Sequence, residues 1–133
     1  MIQIIAGPRG TGKTNELIKR ANDALDVCKG SIVFLTDTSD YSLSVKTAIR
    51  FINVTEYGKL DERYLVGFIN GLLASNSDVS RLYVDGLARM LKTSAEDMEE
   101  LLIALDGISE RSRVDMYISV TCDKPPKFMK KYL

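Results

Sequence analysis

A glycine-rich segment near the start of the chain, Gly7 to Thr14, has the residue types and spacing needed to bind an anion. It reads Gly-Pro-Arg-Gly-Thr-Gly-Lys-Thr. Its glycines permit backbone angles that other residues avoid, so successive N–H groups can face one concavity and bind phosphate oxygens. A helix predicted to start near Lys13 adds the positive end of its dipole. We therefore expect this segment to hold phosphate groups.

The spacing of this segment, G-x-x-x-x-G-K-[ST], resembles the Walker A motif of P-loop NTPases. The resemblance implies that Lys13 contacts the β- and γ-phosphates and takes part in catalysis, and that the Thr14 hydroxyl binds Mg²⁺. It implies Mg·ATP as the ligand, since no Asn-Lys-x-Asp motif for guanine is present. The expected nucleotide-binding residues are Gly7, Pro8, Arg9, Gly10, Thr11, Gly12, Lys13, Thr14 and Asn15.

A second part of the site is predicted at Arg81-Leu82-Tyr83-Val84-Asp85, which resembles a Walker B strand. Apolar residues bury such a strand, and Asp85 emerges at its carboxyl end, where parallel α/β sheets bind ligands. The resemblance implies that Asp85 holds Mg²⁺, usually through water. The alternative is a surface aspartate that begins the Asp85-Gly86 turn.

The residue that would activate water for hydrolysis is less clearly marked. RecA-like and AAA+ ATPases often carry a glutamate directly after the Walker B aspartate, but Gly86 occupies that position here. We predict that Glu56, after the third strand, takes this role; Asp37 and Asp40 are alternatives, and a solvated loop residue is the structural alternative for Glu56. Thr121, at the end of the last strand, resembles the sensor residue that touches the γ-phosphate, although threonine is also an ordinary strand residue.

Basic residues outside the loop offer two further contacts. Arg111 and Arg113 follow a predicted helix and could supply an arginine finger to a neighbouring subunit, or could simply lie at a solvated helix end. The basic tail 124–133 mixes lysines with aromatic residues, which could contact nucleic acid or a partner protein, or form a packed or frayed terminus.

The elements that must position these residues alternate along the chain. Apolar runs predict strands, and apolar residues at helical spacing predict helices. Strands are predicted at 2–6, 31–36, 51–54, 81–85 and 114–121, and helices at 15–27, 41–49, 62–74 and 94–108. This alternation predicts an α/β fold, a three-layer αβα sandwich around a mostly parallel sheet of about five strands. The Walker resemblance implies the P-loop NTPase fold.

Length and composition limit the remaining possibilities. The 133 residues suit a single domain, 1–133, and the 18 basic and 18 acidic residues cancel, so net charge does not support nucleic acid as a partner. No histidine is present, which excludes Ser-His and Cys-His catalysis and makes a Cys/His zinc site untenable. Two cysteines in no paired spacing, no signal peptide and no membrane-length apolar run predict a cytoplasmic protein.

These features together predict a small ATPase that binds Mg·ATP and hydrolyses it, acting with a protein partner or as a homo-oligomer. A small-molecule kinase is an alternative, although no lid insertion is evident. A non-hydrolysing, nucleotide-dependent switch is a second alternative, which the absence of a glutamate after Asp85 leaves open.

Overall fold

Strands and helices alternate in the computed structural model, which describes residues 1–133. The strands are β1 (Ile2–Gly7), β2 (Ser31–Thr36), β3 (Arg50–Asn53), β4 (Val79–Val84) and β5 (Asp115–Thr121). The α-helices are α1 (Lys13–Ala24), α2 (Glu62–Ser75), α3 (Leu87–Leu91) and α4 (Glu99–Ser112). Short 3-10 helices cover Val54–Tyr57, Ala95–Asp97 and Lys127–Tyr132. None of the helices combines the length and the apolar character that a membrane span requires.

All five strands pair in parallel in one sheet, in the order β1-β5-β4-β2-β3. β5 therefore lies between β1, which leads into the glycine-rich loop, and β4, which leads into Asp85. Because the strands are parallel, their carboxyl ends meet at one edge of the sheet. The sheet thus brings the loop and Asp85 to the same edge, with one strand, β5, between the strands that carry them.

Apolar residues cover both faces of the sheet, because successive side chains of a strand point to opposite sides. In β2, Val33 and Leu35 belong to the larger core, whereas Ile32 and Phe34 belong to the smaller one. The larger core contains buried residues of α2, α3 and α4, and the smaller core contains those of α1. The predicted α/β architecture, with helices on both sides of a parallel sheet of five strands, is confirmed.

The predicted helix at 41–49 is wrong, since this segment forms consecutive turns. Its backbone makes only isolated turn bonds within the segment and is also bonded to a side chain of α1. The Asn22 amide donates to the Ser44 carbonyl at 3.0 Å and accepts from the Lys46 N–H at 3.0 Å. Serines within the segment also favour turns, because their hydroxyls compete for backbone groups. Val45 and Ile49 are buried in the smaller core and fix the segment against α1.

The helix predicted at 94–108 has different ends in the structure. The Ser94 hydroxyl donates to the Asp97 carboxylate at 3.1 Å and makes no capping bond to a backbone N–H. A 3-10 turn follows, and α4 begins only at Glu99 and continues to Ser112. The short helix α3 was not predicted, because a five-residue helix is too short to show a helical period.

The basic tail is packed against the protein. Within the 3-10 helix Lys127–Tyr132, Met129 is completely buried and Tyr132 nearly so, both in the larger core. The lysines of this segment remain exposed. Of the alternatives for the tail, the packed terminus is the one that the structure shows.

Candidate functional site

The glycine-rich loop joins β1 to α1 and adopts a backbone that requires glycine at two positions. Gly10 and Gly12 have φ angles of 80° and 84°, in the left-handed region that side chains other than glycine disfavour. Gly12 caps α1 without any side-chain cap. The N–H groups of Lys13, Thr14 and Asn15 accordingly donate to no backbone carbonyl. Unpaired first-turn donors, with the helix dipole behind them, have the geometry that favours an anion.

The side chains of the loop are held by one carbonyl. The Pro8 carbonyl accepts hydrogen bonds from the Thr11 hydroxyl and from the Lys13 ammonium, both at 2.8 Å. The Lys13 side chain therefore folds back over the loop. A weak, solvent-accessible acceptor such as this carbonyl is easily exchanged for a phosphate oxygen, which bonds an ammonium more strongly.

A row of polar side chains crosses the sheet at its carboxyl edge. Strand register aligns Asn53, Thr36, Asp85 and Ser119 on neighbouring strands. Two residues earlier, on the same face, stands a row of stacked aromatic rings, with ring centroids 4.9–6.3 Å apart; these are Phe51, Phe34, Tyr83 and Tyr117. Because side chains two residues apart in a strand point to the same face, the polar row lies next to the row of aromatic rings, directly beside the N-terminus of α1.

Asp85 is the centre of this row and is completely buried. The Thr14 hydroxyl lies 3.1 Å from both carboxylate oxygens, and the Ser119 hydroxyl donates to one of them at 2.7 Å. The structure therefore joins the two residues predicted to bind metal, although they lie on different elements. Carboxylate and hydroxyl oxygens are the ligand types that Mg²⁺ prefers. No group of three or more His, Cys, Asp or Glu side chains could hold a metal ion by itself.

Thr36 belongs to the same row but differs from its neighbours in hydrogen bonding. Its hydroxyl is the only buried side-chain polar atom in the chain without a hydrogen-bond partner. Leaving a buried hydroxyl unbonded costs about 1–3 kcal/mol of folding free energy. A valine of the same shape would avoid that cost, so a threonine here is not explained by packing.

Gly86 explains why no glutamate follows Asp85. Its φ angle is 78°, again in the left-handed region, and a Cβ at this position would collide with the Arg89 guanidinium. The Gly86 N–H donates to the Ser119 hydroxyl at 2.7 Å, which fixes the turn into α3. The glycine that follows Asp85 is therefore required by the local backbone.

Arg89 is a prominent residue of the site that sequence reasoning missed. It lies on α3, four residues after Asp85, and pairs with Asp37 directly after β2. Its Nε donates to the Asp37 carboxylate at 3.0 and 3.1 Å and its Nη2 at 2.8 Å. The hydrogen bonds to Asp37 raise the pKa of Arg89 above its ordinary value, although partial burial alone would lower it. The spacing of Asp85 and Arg89 would have pointed to a contact only if α3 had been recognised.

An open cleft of about 410 Å³ connects these residues. Eleven residues line it: Arg9, Gly10, Gly12, Lys13, Thr14, Asn15, Tyr41, Gly86, Arg89, Ser119 and Thr121. Three of these carry a positive charge and none carries a negative one. A concave site with this charge is suited to an anion.

The predicted site residues fall into two groups. Most of the loop and Thr121 line the cleft, and Asp85 lies beneath it. Glu56 does not line the cleft. It lies on the 3-10 helix that follows the edge strand β3, and β3 is about 10 Å from β4 because β2 lies between them. Arg111 and Arg113 lie at the amino end of β5, about 20 Å along that strand from Thr121. An arginine finger from either residue would therefore have to act in a neighbouring subunit.

The chain matches no protein-family model and no curated protein sequence. The function of the cleft is therefore inferred from its own geometry and charge.

Proposed function

We propose that this chain is a nucleotide-binding module of the P-loop NTPase type, which binds Mg·ATP in the cleft between the glycine-rich loop and the end of β4. The observation that carries the proposal is the hydrogen bond from Thr14 to the buried Asp85. An anion-binding loop alone would be unspecific. A loop whose hydroxyl meets a buried carboxylate on another strand has, in addition, the oxygen ligands for a metal–phosphate complex.

The strand order gives independent support. β5 separates the strand that precedes the loop from the strand that precedes Asp85. This arrangement is similar to that of the additional-strand group of P-loop ATPases, to which the RecA-like and AAA+ families belong. The unpaired thiols of Cys28 and Cys122 support a reducing compartment such as the cytoplasm.

The proposal gives defined roles to residues of the loop and to Asp85. The first-turn N–H groups of α1 and the Lys13 ammonium bind the phosphate oxygens, and Gly10 and Gly12 give the loop the shape that this requires. Thr14 and Asp85 would hold Mg²⁺, which neutralises phosphate charge when it is bound. The protein supplies no complete metal cage, so the metal is expected to enter together with the phosphates.

Calorimetric titration with a non-hydrolysable ATP analogue tests the proposal. We expect saturable one-to-one binding in the presence of Mg²⁺, weakened by about tenfold or more when EDTA removes the metal. The reason is that the buried Asp85 carboxylate repels phosphate unless a cation lies between them. Absence of binding under both conditions would refute the proposal. Equal affinity with and without Mg²⁺ would show that Asp85 does not take part in the site.

Hydrolysis by the isolated chain is expected to be slow, because no carboxylate lines the cleft. A general base contributes about 10²–10⁴-fold, so we expect a kcat of about 0.1 s⁻¹ or less, against the roughly 10 s⁻¹ that is typical of enzymes. Phosphate release at saturating Mg·ATP measures this rate. A kcat near 10 s⁻¹ for the isolated chain would contradict the expectation and show that a base is already in place.

The water-activating role predicted for Glu56 can be decided in the same assay. Glu56→Gln is compared with Glu62→Gln, which also changes an exposed glutamate and serves as the matched control. The role requires that only Glu56→Gln lowers the rate. Slow turnover that neither variant changes would favour the alternative function, a switch that binds nucleotide and changes conformation without rapid hydrolysis.

A further inference from the structure

The Arg89 guanidinium has hydrogen-bond donors that the protein leaves unused. A guanidinium carries five N–H donors. Nε and Nη2 bond to Asp37, while Nη1 has no hydrogen-bond partner in the chain. Nη2 also lies 3.5 Å from the Asp85 carboxylate, which is longer than a hydrogen bond. The side chain is half exposed and lines the cleft, so the unused donors are available to a bound anion.

Asp37 fixes the guanidinium in place before any ligand arrives. Its carboxylate is only 17% exposed and engages two nitrogens of Arg89, which leaves the planar group little freedom to rotate. Binding to a group that is already positioned does not pay the entropy cost of ordering a long side chain. Arg9, which also lines the cleft, is exposed and has no such partner. Arg89 is therefore the better-prepared arginine of the two.

The position of Arg89 in the cleft differs from that of the loop donors. Lys13 and the first-turn N–H groups belong to the β1–α1 side, and the N–H groups of that side would contact phosphates that a diphosphate and a triphosphate share. Arg89 belongs to α3 and stands beside Asp85, on the β4 side. Only a phosphate beyond those held by the loop would reach this side of the cleft. A nucleoside triphosphate has such a phosphate at its end, and a nucleoside diphosphate does not.

We propose that Arg89, positioned by Asp37, binds the terminal phosphate of a nucleoside triphosphate and so distinguishes it from the diphosphate. The proposal rests on the function proposed above and specifies how that site selects its ligand. Arg89 would act on the ligand directly, and Asp37 would be a positioning residue that acts through Arg89. A site of this kind reports whether the terminal phosphate is present, independently of whether the chain itself hydrolyses it.

The test compares the affinities for a non-hydrolysable ATP analogue and for ADP, both with Mg²⁺, by calorimetric titration. The variants are Arg89→Met, which keeps an apolar stem, Asp37→Asn and, as a matched control, Arg63→Met on the exposed face of α2. We expect Arg89→Met to lower the preference for the triphosphate by about 10- to 100-fold, as expected for a lost charge-assisted bond. ADP affinity should change by less than about threefold, since Arg89 touches no shared phosphate. Asp37→Asn should lower the preference by about 3- to 10-fold, because Arg89 remains but loses its anchor.

The outcomes separate this inference from the proposed function. Wild-type protein that binds neither ligand refutes the proposed function. Binding of both ligands with no triphosphate preference, or an equal loss of both affinities in Arg89→Met, overturns the role of Arg89 and leaves the proposed function standing. Unfolding midpoints are measured for every variant without ligand. If Arg89→Met does not fold, Arg89→Lys takes its place, since it keeps the charge, loses the planar fork and should still lower the preference.

Discussion

Lys13→Ala is expected to weaken binding of Mg·ATP by about 100-fold or more, because two charge-assisted hydrogen bonds of about 1.5–3 kcal/mol each are lost. In the free protein the Lys13 ammonium bonds only to the Pro8 carbonyl of its own loop. That single contact contributes little to folding, and alanine is the best helix former at the start of α1. The unfolding midpoint should therefore stay within about 4 °C of the wild-type value. The variant separates binding from folding.

Lys19→Ala is the matched control for this prediction. Lys19 lies on the same helix, is largely exposed and pairs only with Asp23 four residues later. It carries the same charge, so any effect of net charge on nucleotide affinity appears in both variants. Calorimetric titration of both variants should show the large loss in Lys13→Ala alone. Comparable affinities in the two variants would mean that the loop does not hold the phosphates.

The conformation of the glycine-rich loop could be predicted from the sequence because its requirements are local. Glycines at positions 10 and 12 are needed for the backbone angles of the loop, and both angles are observed. The flanking strand and helix follow from the apolar pattern of neighbouring residues. Asp85 could be recognised for a similar reason, since an apolar run ends there.

The Asp37–Arg89 pair could not be predicted in the same way. The two residues are 52 positions apart, and their contact depends on β2 and β4 being neighbours in the sheet. The order of strands is set by how the helices pack on both faces, which no short stretch of sequence records. Recognition of Arg89 also required α3, which at five residues is too short for its apolar pattern to be detected.

The failed helix at 41–49 has a related cause. Its apolar residues Val45 and Ile49 have the spacing of a helix and are indeed buried. However, Asn22 on α1 bonds two backbone groups of this segment, and so replaces the bonds that a helix would have made. The conformation of this segment therefore depends on its contact with α1. Tyr41, at the start of this segment, lines the cleft as a consequence.

Asp85→Asn is expected to have opposite effects on folding and on binding. The carboxylate is completely buried, and its nearest cationic group is the half-exposed Arg89 guanidinium at 3.5 Å. Burying a charge costs several kcal/mol, which hydroxyl bonds and one long ionic contact offset only in part. An amide of the same shape avoids that cost and can still bond the hydroxyls of Thr14 and Ser119. We therefore expect the unfolding midpoint of the ligand-free variant to rise by about 3–5 °C, which corresponds to about 1 kcal/mol in a domain of this size.

The same substitution should weaken Mg·ATP binding by about 100-fold and abolish its dependence on Mg²⁺, because the amide offers the metal no negative charge. Asp78→Asn, an exposed aspartate just before β4, is the matched control and should change neither quantity. Thermal unfolding and titration with and without EDTA measure both effects on the same samples. A more stable protein that has lost its metal-dependent affinity would show that the buried charge is kept for the ligand at the expense of stability. A destabilised variant with unchanged affinity would show that Asp85 is a structural residue, bonded to Thr14 and Ser119 only to hold the loop against the sheet.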